Sequence, residues 1–168
     1  ERFTDGRGAQ HTYTYDISGR TTQIQFAGAF LTPAAADETQ TFVYDTCSNG
    51  VGRLCQFTDH SGTTSYSYDV WGRTIQKVFV PANSPGVSLV TAYDYNQQGQ
   101  LVSIHYPSGK RMDYTYDRGS VKAVEYDFQP VLGNAEYQSG TGTIKGWQWS
   151  SFAGQVVFSY DLNGRLSR

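Results

Sequence analysis

Aromatic and small polar residues alternate in short stretches along the chain. Residues 13–15 read Tyr-Thr-Tyr, residues 66–68 read Tyr-Ser-Tyr, and residues 158–160 read Phe-Ser-Tyr. Successive side chains of a β-strand point to opposite faces, so both rings of each triplet fall on the same face. The alternation resumes after the next turn, in residues 22–26 and 101–106. The pattern predicts hairpin strands with one buried, aromatic face.

The dipeptide Tyr-Asp recurs along the sequence. It occurs seven times, beginning at Tyr15, Tyr44, Tyr68, Tyr93, Tyr116, Tyr126 and Tyr160. Random placement of the same tyrosines and aspartates would give about one occurrence. With Tyr126 set aside, most spacings indicate a repeat of about 22 to 25 residues, and the gap between Tyr116 and Tyr160 is close to two repeats. Two strands per repeat predict about fourteen strands in all.

The fullest form of the repeat is aromatic-x-Tyr-Asp-x-x-Gly-Arg, found at residues 13–20, 66–73 and 158–165. An aspartate at the end of a strand accepts hydrogen bonds from backbone amides of the following turn. Glycine supplies the positive φ that a tight hairpin needs. The arginine begins the returning strand, where its guanidinium can pair with the aspartate of its own or of a neighbouring hairpin.

Residues in register with this motif are predicted to form the structural corners of the hairpins. They are Tyr15, Asp16, Gly19, Arg20, Tyr44, Asp45, Gly52, Arg53, Tyr68, Asp69, Gly72, Arg73, Tyr93, Asp94, Gly99, Tyr116, Asp117, Tyr160, Asp161, Gly164 and Arg165. Second turns, for example at residues 59–62 and 107–110, lead into the following repeats.

Composition and charge narrow the class of protein. Of the 168 residues 38% are hydrophobic and 15% are aromatic, and 18 are glycine. This mixture favours strands over helices. The net charge is -2 without any run of like charge, which argues against nucleic-acid binding. Apolar stretches such as residues 77–80 are far shorter than the roughly 18 residues of a membrane-spanning helix, so no membrane span is expected.

These motifs resemble the YD-repeat, or Rhs (rearrangement hotspot), family over essentially the whole chain. Residues 44–55, with two cysteines flanking a longer turn, are similar to a variant repeat of bacterial Rhs proteins. The sequence departs from the family pattern in three places. Gln100 stands where the motif has arginine, residues 116–120 form a shortened turn without the arginine, and residues 128–157 match weakly.

The resemblance implies an all-β fold in which tandem antiparallel hairpins form a curved, spiralling, continuous sheet. In bacterial Rhs proteins and insecticidal toxin complexes such a sheet builds a hollow shell around a toxic C-terminal domain, and teneurins use a related shell. Residues 1–168 are therefore interpreted as one repeat-built segment of a larger protein. Its expected partners are the rest of that shell and an enclosed toxin domain. The implied location is secreted or on the bacterial surface, and the sequence leaves open whether the protein is first held in the cytoplasm.

The sequence ends shortly after the last motif, so the last hairpin is predicted to lack its returning strand. An unpaired strand presents free backbone groups to another chain. We therefore expect exposed sheet edges and self-association. A closed ring of about fourteen strands would be too narrow for a folded domain, so enclosure is expected only of the whole shell.

Cys47 and Cys55 flank the predicted turn of the second motif. A disulfide between them would close a short loop across the two hairpin arms and stabilise it by about 2.5 kcal/mol. The alternative is a pair of half-buried thiols, as in a protein kept in a reducing compartment. The sequence leaves both possibilities open.

Other candidate chemistry is better explained by structure. His11, His60 and His105 are far apart in sequence and show no metal-ligand spacing. The recurring aspartates fit turn caps better than a hydrolase pair. Residues 140–146 lack the ending of a phosphate-binding loop and predict a turn or an irregular hairpin, and residues 32–38 allow one helical turn. No cofactor or metal site is expected.

The preferred hypothesis is a structural wall segment of a shell that encloses or presents a toxin, without enzymatic activity. The alternative is a cell-surface repeat module that binds a carbohydrate or a protein. For that module, Trp71, Trp147 and Trp149 are the candidate stacking residues.

Overall fold

The computed structural model describes residues 1–6, 8–27, 38–150, 154–161 and 163–167. These residues form fourteen strands. The strands are β1 (Arg2–Thr4), β2 (Gln10–Tyr15), β3 (Thr21–Ala27), β4 (Thr39–Tyr44), β5 (Leu54–Asp59), β6 (Gly62–Tyr68), β7 (Thr74–Pro81), β8 (Leu89–Tyr95), β9 (Leu101–His105), β10 (Arg111–Asp117), β11 (Ser120–Tyr126), β12 (Gln129–Tyr137), β13 (Ile144–Trp149) and β14 (Gln155–Val157).

The chain divides into two compact units, Glu1–Thr91 and Ala92–Arg168. In the first unit each strand from β1 to β7 pairs antiparallel with the next strand in sequence. The same holds from β8, whose last four residues belong to the second unit, to β14. Within each unit the strand order follows the chain order. The predicted all-β fold of tandem antiparallel hairpins is confirmed, and so is the expected number of strands.

The cross-strand register gives the sheet two unlike faces. In the first unit Phe42, Phe57, Thr64 and Phe79 lie side by side on β4 to β7. The ring centroids of Phe42 and Phe57 are 5.0 Å apart. The adjacent row faces the other way and is polar or aliphatic, with Thr41, Thr58, Thr63 and Val80. The predicted aromatic face is therefore present.

The aromatic face is only half-buried. Among the described non-glycine residues, Cys55, Thr64, Ser103 and Ala135 are buried, and none of the large side chains is fully buried. The prediction of a buried aromatic face is wrong in this respect. Within each unit the described strands form one layer, and a sheet face becomes a core only where a second layer covers it.

The end of the chain differs from the prediction as well. Leu166 forms a bridge with Tyr160, and the amide of Ser167 donates to the carbonyl of Ser159 at 2.8 Å. The last hairpin therefore has the beginning of its returning strand. The helical turn predicted for residues 32–38 lies, except for Glu38, outside the described residues. None of the described residues belongs to a helix with the length and hydropathy of a membrane span.

Candidate functional site

The recurring motif places a series of turns at the carboxyl ends of the even-numbered strands, so that in each unit these turns lie at the same end of the strands. We call these turns corners, because each follows an even-numbered strand and reverses the chain. They are corner 1 (residues 15–20), corner 2 (44–53), corner 3 (68–73), corner 4 (95–100), corner 5 (116–120), corner 6 (137–143) and corner 7 (160–165).

The aspartate of a complete corner caps its own turn. In corner 1 the Asp16 carboxylate accepts hydrogen bonds from the amides of Ser18 and Arg20, at 2.8 and 2.9 Å. The Gly19 amide donates to the Asp16 carbonyl, and Gly19 has a φ of 77°, which glycine adopts without strain. Asp69 and Asp161 make the equivalent carboxylate contacts in corners 3 and 7. The Asp16 pKa is lowered, and the hydrogen bond from the Arg20 amide is the largest cause.

The arginine of corner 1 joins this corner to the next one. Arg20 Nε lies 2.7 Å from Asp16 Oδ2, and the two terminal nitrogens lie 3.0 and 2.5 Å from the carboxylate oxygens of Asp45 in corner 2. The guanidinium also lies over the Tyr44 ring, 4.5 Å from its centroid. The Arg20 side chain, and then the Gly52 amide, lower the Asp45 pKa to about 2. In corner 3 the Arg73 side chain pairs with its own Asp69 at 2.6 Å.

Tyrosine hydroxyls connect successive corners. Each donates to a backbone carbonyl at the start of the returning strand of the preceding hairpin, which belongs to the first residue of that strand in four cases and to the second residue, Val121, in one. These tyrosine ties are Tyr44 to Thr21 (3.0 Å), Tyr68 to Leu54 (2.6 Å), Tyr116 to Leu101 (2.7 Å), Tyr137 to Val121 (2.9 Å) and Tyr160 to Ile144 (2.8 Å). The sequence predicts aromatic packing for these tyrosines and gives no indication of the hydroxyl contact.

Corner 2 carries the longest turn and contains a disulfide between Cys47 and Cys55. Gly50 lies against both sulfurs, because a Cβ added there would stand 2.5 Å from Cys47 Sγ and 2.6 Å from Cys55 Sγ. The Asn49 side chain donates to the Tyr68 carbonyl at 2.9 Å. Arg53 Nε donates to the carbonyl of Gly72 at 3.1 Å. The turn closed by the disulfide is thus bound to corner 3.

Corner 4 lies two residues beyond the predicted position. The motif residues Tyr93 and Asp94 are inside β8, and Tyr95 and Asn96 occupy the corner. Asn96 Oδ1 accepts hydrogen bonds from the amides of Gln98 and Gln100, at 3.0 and 2.9 Å. The predicted register is wrong because both Tyr93-Asp94 and Tyr95-Asn96 resemble the Tyr-Asp pair of the motif. The position of Gly99, four residues after Tyr95 as Gly19 follows Tyr15, is the signal that distinguishes them.

Asp94 has a different role, since it lies opposite Ser103 and its Oδ2 is 2.7 Å from His105 Nε2. Corner 4 itself replaces the charged pair of the motif with two amides. The Asn96 Nδ2 donates to Gln100 Oε1 at 2.8 Å, and Gln100 Nε2 donates to the Gly119 carbonyl at 3.0 Å. Gln100 therefore reaches the next corner much as Arg53 does.

The weakly matching part of the chain contains a further corner. Tyr137 makes the tyrosine tie of corner 6, and the Gln138 amide donates to the Thr143 carbonyl across the turn at 2.7 Å. Tyr137 lies about one repeat after Tyr116, so spacing is the signal that identifies it. In the dipeptide at Tyr126, the tyrosine is the last residue of β11 and Asp127 is in the turn that leads to β12. This turn consists of Asp127 and Phe128, which both have positive φ.

The remaining candidate residues do not assemble a reactive site in the described part of the chain. Ligand atoms of Glu38, Asp59 and His60 lie within 4.8 Å of one another. Asp59 Oδ1 already accepts hydrogen bonds from Ser61 N and Oγ and from Gly62 N, as a turn cap does. The His11 ring packs against Phe26, with their centroids 4.9 Å apart.

The tryptophans named as stacking candidates have separate surroundings. Trp71 is exposed in corner 3, with the Arg73 guanidinium 4.7 Å from its ring centroid. Trp147 and Trp149 cross edge to face on β13, with centroids 6.0 Å apart. The Trp147 indole nitrogen is buried and has no hydrogen-bond partner among the described residues.

Comparison with solved structures reveals the same fold. The chain is similar to a part of the crystal structure of TcdB2-TccC3-Cdc42, with a TM-score of 0.78 and 13% sequence identity over 98% of this chain. The structure of TcdB2-TccC3 without its hypervariable C-terminal region gives a TM-score of 0.77 and 14% identity, again over 98% of this chain. In each of these structures the match spans 9% of the length of the chain that it matches. No family model and no curated protein matches the sequence.

Proposed function

We propose that this chain is a stretch of wall in a larger β-shell built from YD-type repeats. The observation that carries the proposal is the series of tyrosine ties, in which a corner residue of one hairpin is bonded to the backbone of the hairpin before it. Such ties fix the spacing of successive hairpins at the end of the strands where the corners lie. They suit a protein whose task is to hold a continuous sheet together.

The use of charged residues at the corners supports a structural role. The carboxylates of Asp16, Asp45 and Asp69 are occupied by turn amides and arginine side chains. A general acid or base needs a free position within reach of a substrate. We therefore propose that these side chains stabilise turns and have no catalytic role.

The shell in this proposal encloses or presents a toxin domain elsewhere in the same protein or assembly. The similarity to TcdB2-TccC3 supports the fold of the wall, and the YD-type motif supports its relation to toxin-enclosing shells. The whole of residues 1–168 acts as one repeat-built segment, although each of its two units is compact. The remaining wall supplies most of the enclosure.

Protease protection of the domain that follows the repeats in the full-length parent protein tests the proposal. We expect that domain to resist digestion while the wall is intact. Replacing Tyr44, Tyr68, Tyr116 and Tyr137 together with phenylalanine removes four ties while keeping the rings, and should expose the domain. Equal digestion of both proteins, at a rate equal to that of the isolated domain, would show that the repeats enclose nothing.

A further inference from the structure

Arginine side chains fill the space between neighbouring corners in the first unit. The arginine precedes the residue whose carbonyl accepts the tyrosine tie, and it extends toward the ring of that tyrosine. The Arg20 guanidinium lies 4.5 Å from the centroid of the Tyr44 ring, and the Arg53 guanidinium lies 5.7 Å from that of Tyr68. A cation over the face of an aromatic ring is attracted by the ring quadrupole.

Corner 5 lacks this side chain. The residue before Val121, whose carbonyl accepts the Tyr137 tie, is Ser120. Its turn is shortened to two residues, Arg118 and Gly119, with φ values of 49° and 87°. Serine is too short to reach the next corner, so the place taken by a guanidinium between corners 1 and 2 has no equivalent side chain at this position.

A cleft lies where that side chain is missing. It has a volume of about 580 Å³, and Asp117, Ser120, Val121, Tyr137 and Gln138 are among the residues that line it. The cleft is partly open to solvent and has both polar and apolar walls. Its volume is ample for a guanidinium group with the alkyl chain that carries it.

The groups in the cleft correspond to those that hold Arg20. Asp117 corresponds to Asp16, which pairs with the Arg20 Nε at 2.7 Å. Tyr137 corresponds to Tyr44, which lies beneath the Arg20 guanidinium.

Gln138 stands where corner 2 has Asp45, and it offers an amide oxygen that also accepts a bond from Thr141 at 3.3 Å. Asp117 and Glu136 are balanced by Arg118 and Lys122 in the lining. Recognition there depends on local contacts, since the lining has no net charge to attract a cation from a distance.

We propose that the cleft between corners 5 and 6 binds a guanidinium group supplied from outside this pair of repeats. Asp117 pairs with its N–H groups, the Tyr137 ring lies against its face, and Gln138 accepts a further hydrogen bond. A planar guanidinium carries five N–H donors in a fixed arrangement, which suits this combination better than a compact ammonium group does. The group belongs either to an arginine of a polypeptide or to a free guanidinium compound.

Titration of the full chain with methylguanidinium, followed by the amide NMR signals of Ser120, Val121 and Gln138, tests the proposal. We expect saturable shifts at these amides, with methylammonium binding at least about tenfold more weakly. Asp117→Asn should weaken methylguanidinium binding by about tenfold or more. Tyr160→Phe is the matched control, because it removes a tyrosine tie at corner 7 and changes no residue that lines the cleft, so it should retain binding.

A second variant fills the cleft from within. Ser120→Arg should abolish methylguanidinium binding, whereas Ser120→Ala should leave it intact, and circular dichroism confirms that each variant is folded. Shifts that do not saturate, or affinities that are equal in the wild type, Asp117→Asn and Ser120→Arg, would overturn the proposal. Tighter binding of a capped Gly-Arg-Gly peptide than of free arginine assigns the site to a polypeptide, and the reverse order assigns it to a small molecule.

Discussion

At the scale of single residues, Asp45 shows how a corner depends on charge. Its carboxylate accepts two hydrogen bonds from Arg20 and one from the Gly52 amide. These contacts favour the ionised form and lower the Asp45 pKa from 3.8 to about 2. A carboxyl whose pKa is lower in the folded protein stabilises that state above its unfolded pKa, and this stabilisation is lost as the pH falls through the folded value.

Replacing Asp45 with asparagine should therefore destabilise the chain near neutral pH and matter less in acid. Asparagine tolerates the φ of 68° at this position, so the change removes mainly the charge. We expect the difference between wild type and Asp45→Asn in urea unfolding to shrink from about pH 5 toward about pH 2. A difference that is constant over this range would mean that ionisation of Asp45 contributes nothing to stability.

The hydroxyl of Tyr116 offers a test of a single tyrosine tie. Its donation to the Leu101 carbonyl at 2.7 Å should contribute about 1 kcal/mol to the free energy of unfolding. Tyr116→Phe should lose that amount in urea denaturation. Tyr114→Phe on the same strand is the control, because the Tyr114 hydroxyl faces the Met112 sulfur, a weak acceptor, and should cost less. Equal losses in both variants would contradict the tie.

Residue roles that act within a few positions can be predicted from the sequence. The turn-capping role of Asp16 and the positive φ of Gly19 follow from turn chemistry, which is local. The contact from the Tyr44 hydroxyl to the Thr21 carbonyl joins residues of different hairpins. Its existence depends on how neighbouring hairpins are spaced, and the alternation of side chains along a strand carries no information on that.

At the scale of the hairpin, the disulfide of corner 2 should make this turn more stable than its neighbours. Cys47 and Cys55 are eight positions apart in sequence, so their disulfide closes a short loop. The chain-entropy relation gives a stabilisation of about 2.5 kcal/mol for a loop of this size. We expect the double variant Cys47→Ser, Cys55→Ser to lose about that free energy in urea unfolding. The same loss should appear when the wild type is unfolded with a reductant.

Free-thiol titration of the unfolded, non-reduced chain provides the independent check. We expect no reactive thiol in protein prepared under oxidising conditions. Two reactive thiols would mean that the disulfide does not form in that protein, and the double variant should then be as stable as the wild type.

The sequence predicts that a hairpin is present more reliably than it predicts which residue begins the corner. The overlapping motif at Tyr93 and Tyr95 offers two registers, and the glycine four residues later selects the second one. Corner 6 lacks the aspartate and arginine of the motif, and the sequence of residues 140–146 predicts only a turn or an irregular hairpin. Its position still follows from the spacing of the repeat, since Tyr137 makes the same tie as Tyr116.

At the scale of the whole molecule, the alternation of residues predicts which side chains share a sheet face but does not predict whether that face is buried. Alternation correctly groups residues such as Phe42, Phe57 and Phe79 on one face. Burial of that face requires a covering layer, which the periodicity of one strand does not reveal. The half-exposed rings fit the proposed role as a shell wall, because both faces of a single-layer sheet lack a covering layer of the same unit.

The outer edge of β1 leads to a prediction about association. Among the described strands β1 is paired only with β2, and Phe3 on β1 is exposed. In the 168-residue chain taken by itself, an edge strand with an exposed aromatic residue favours pairing with another strand. We therefore expect the average mass of this chain in light scattering to rise with protein concentration. Phe3→Lys should reduce this rise, because charge on an edge strand opposes pairing. Ile17→Lys is the control, since Ile17 is even more exposed to solvent than Phe3 but lies in corner 1. If both variants reduce association to the same extent, general hydrophobic contact is responsible, and a constant monomer mass would exclude pairing through this edge.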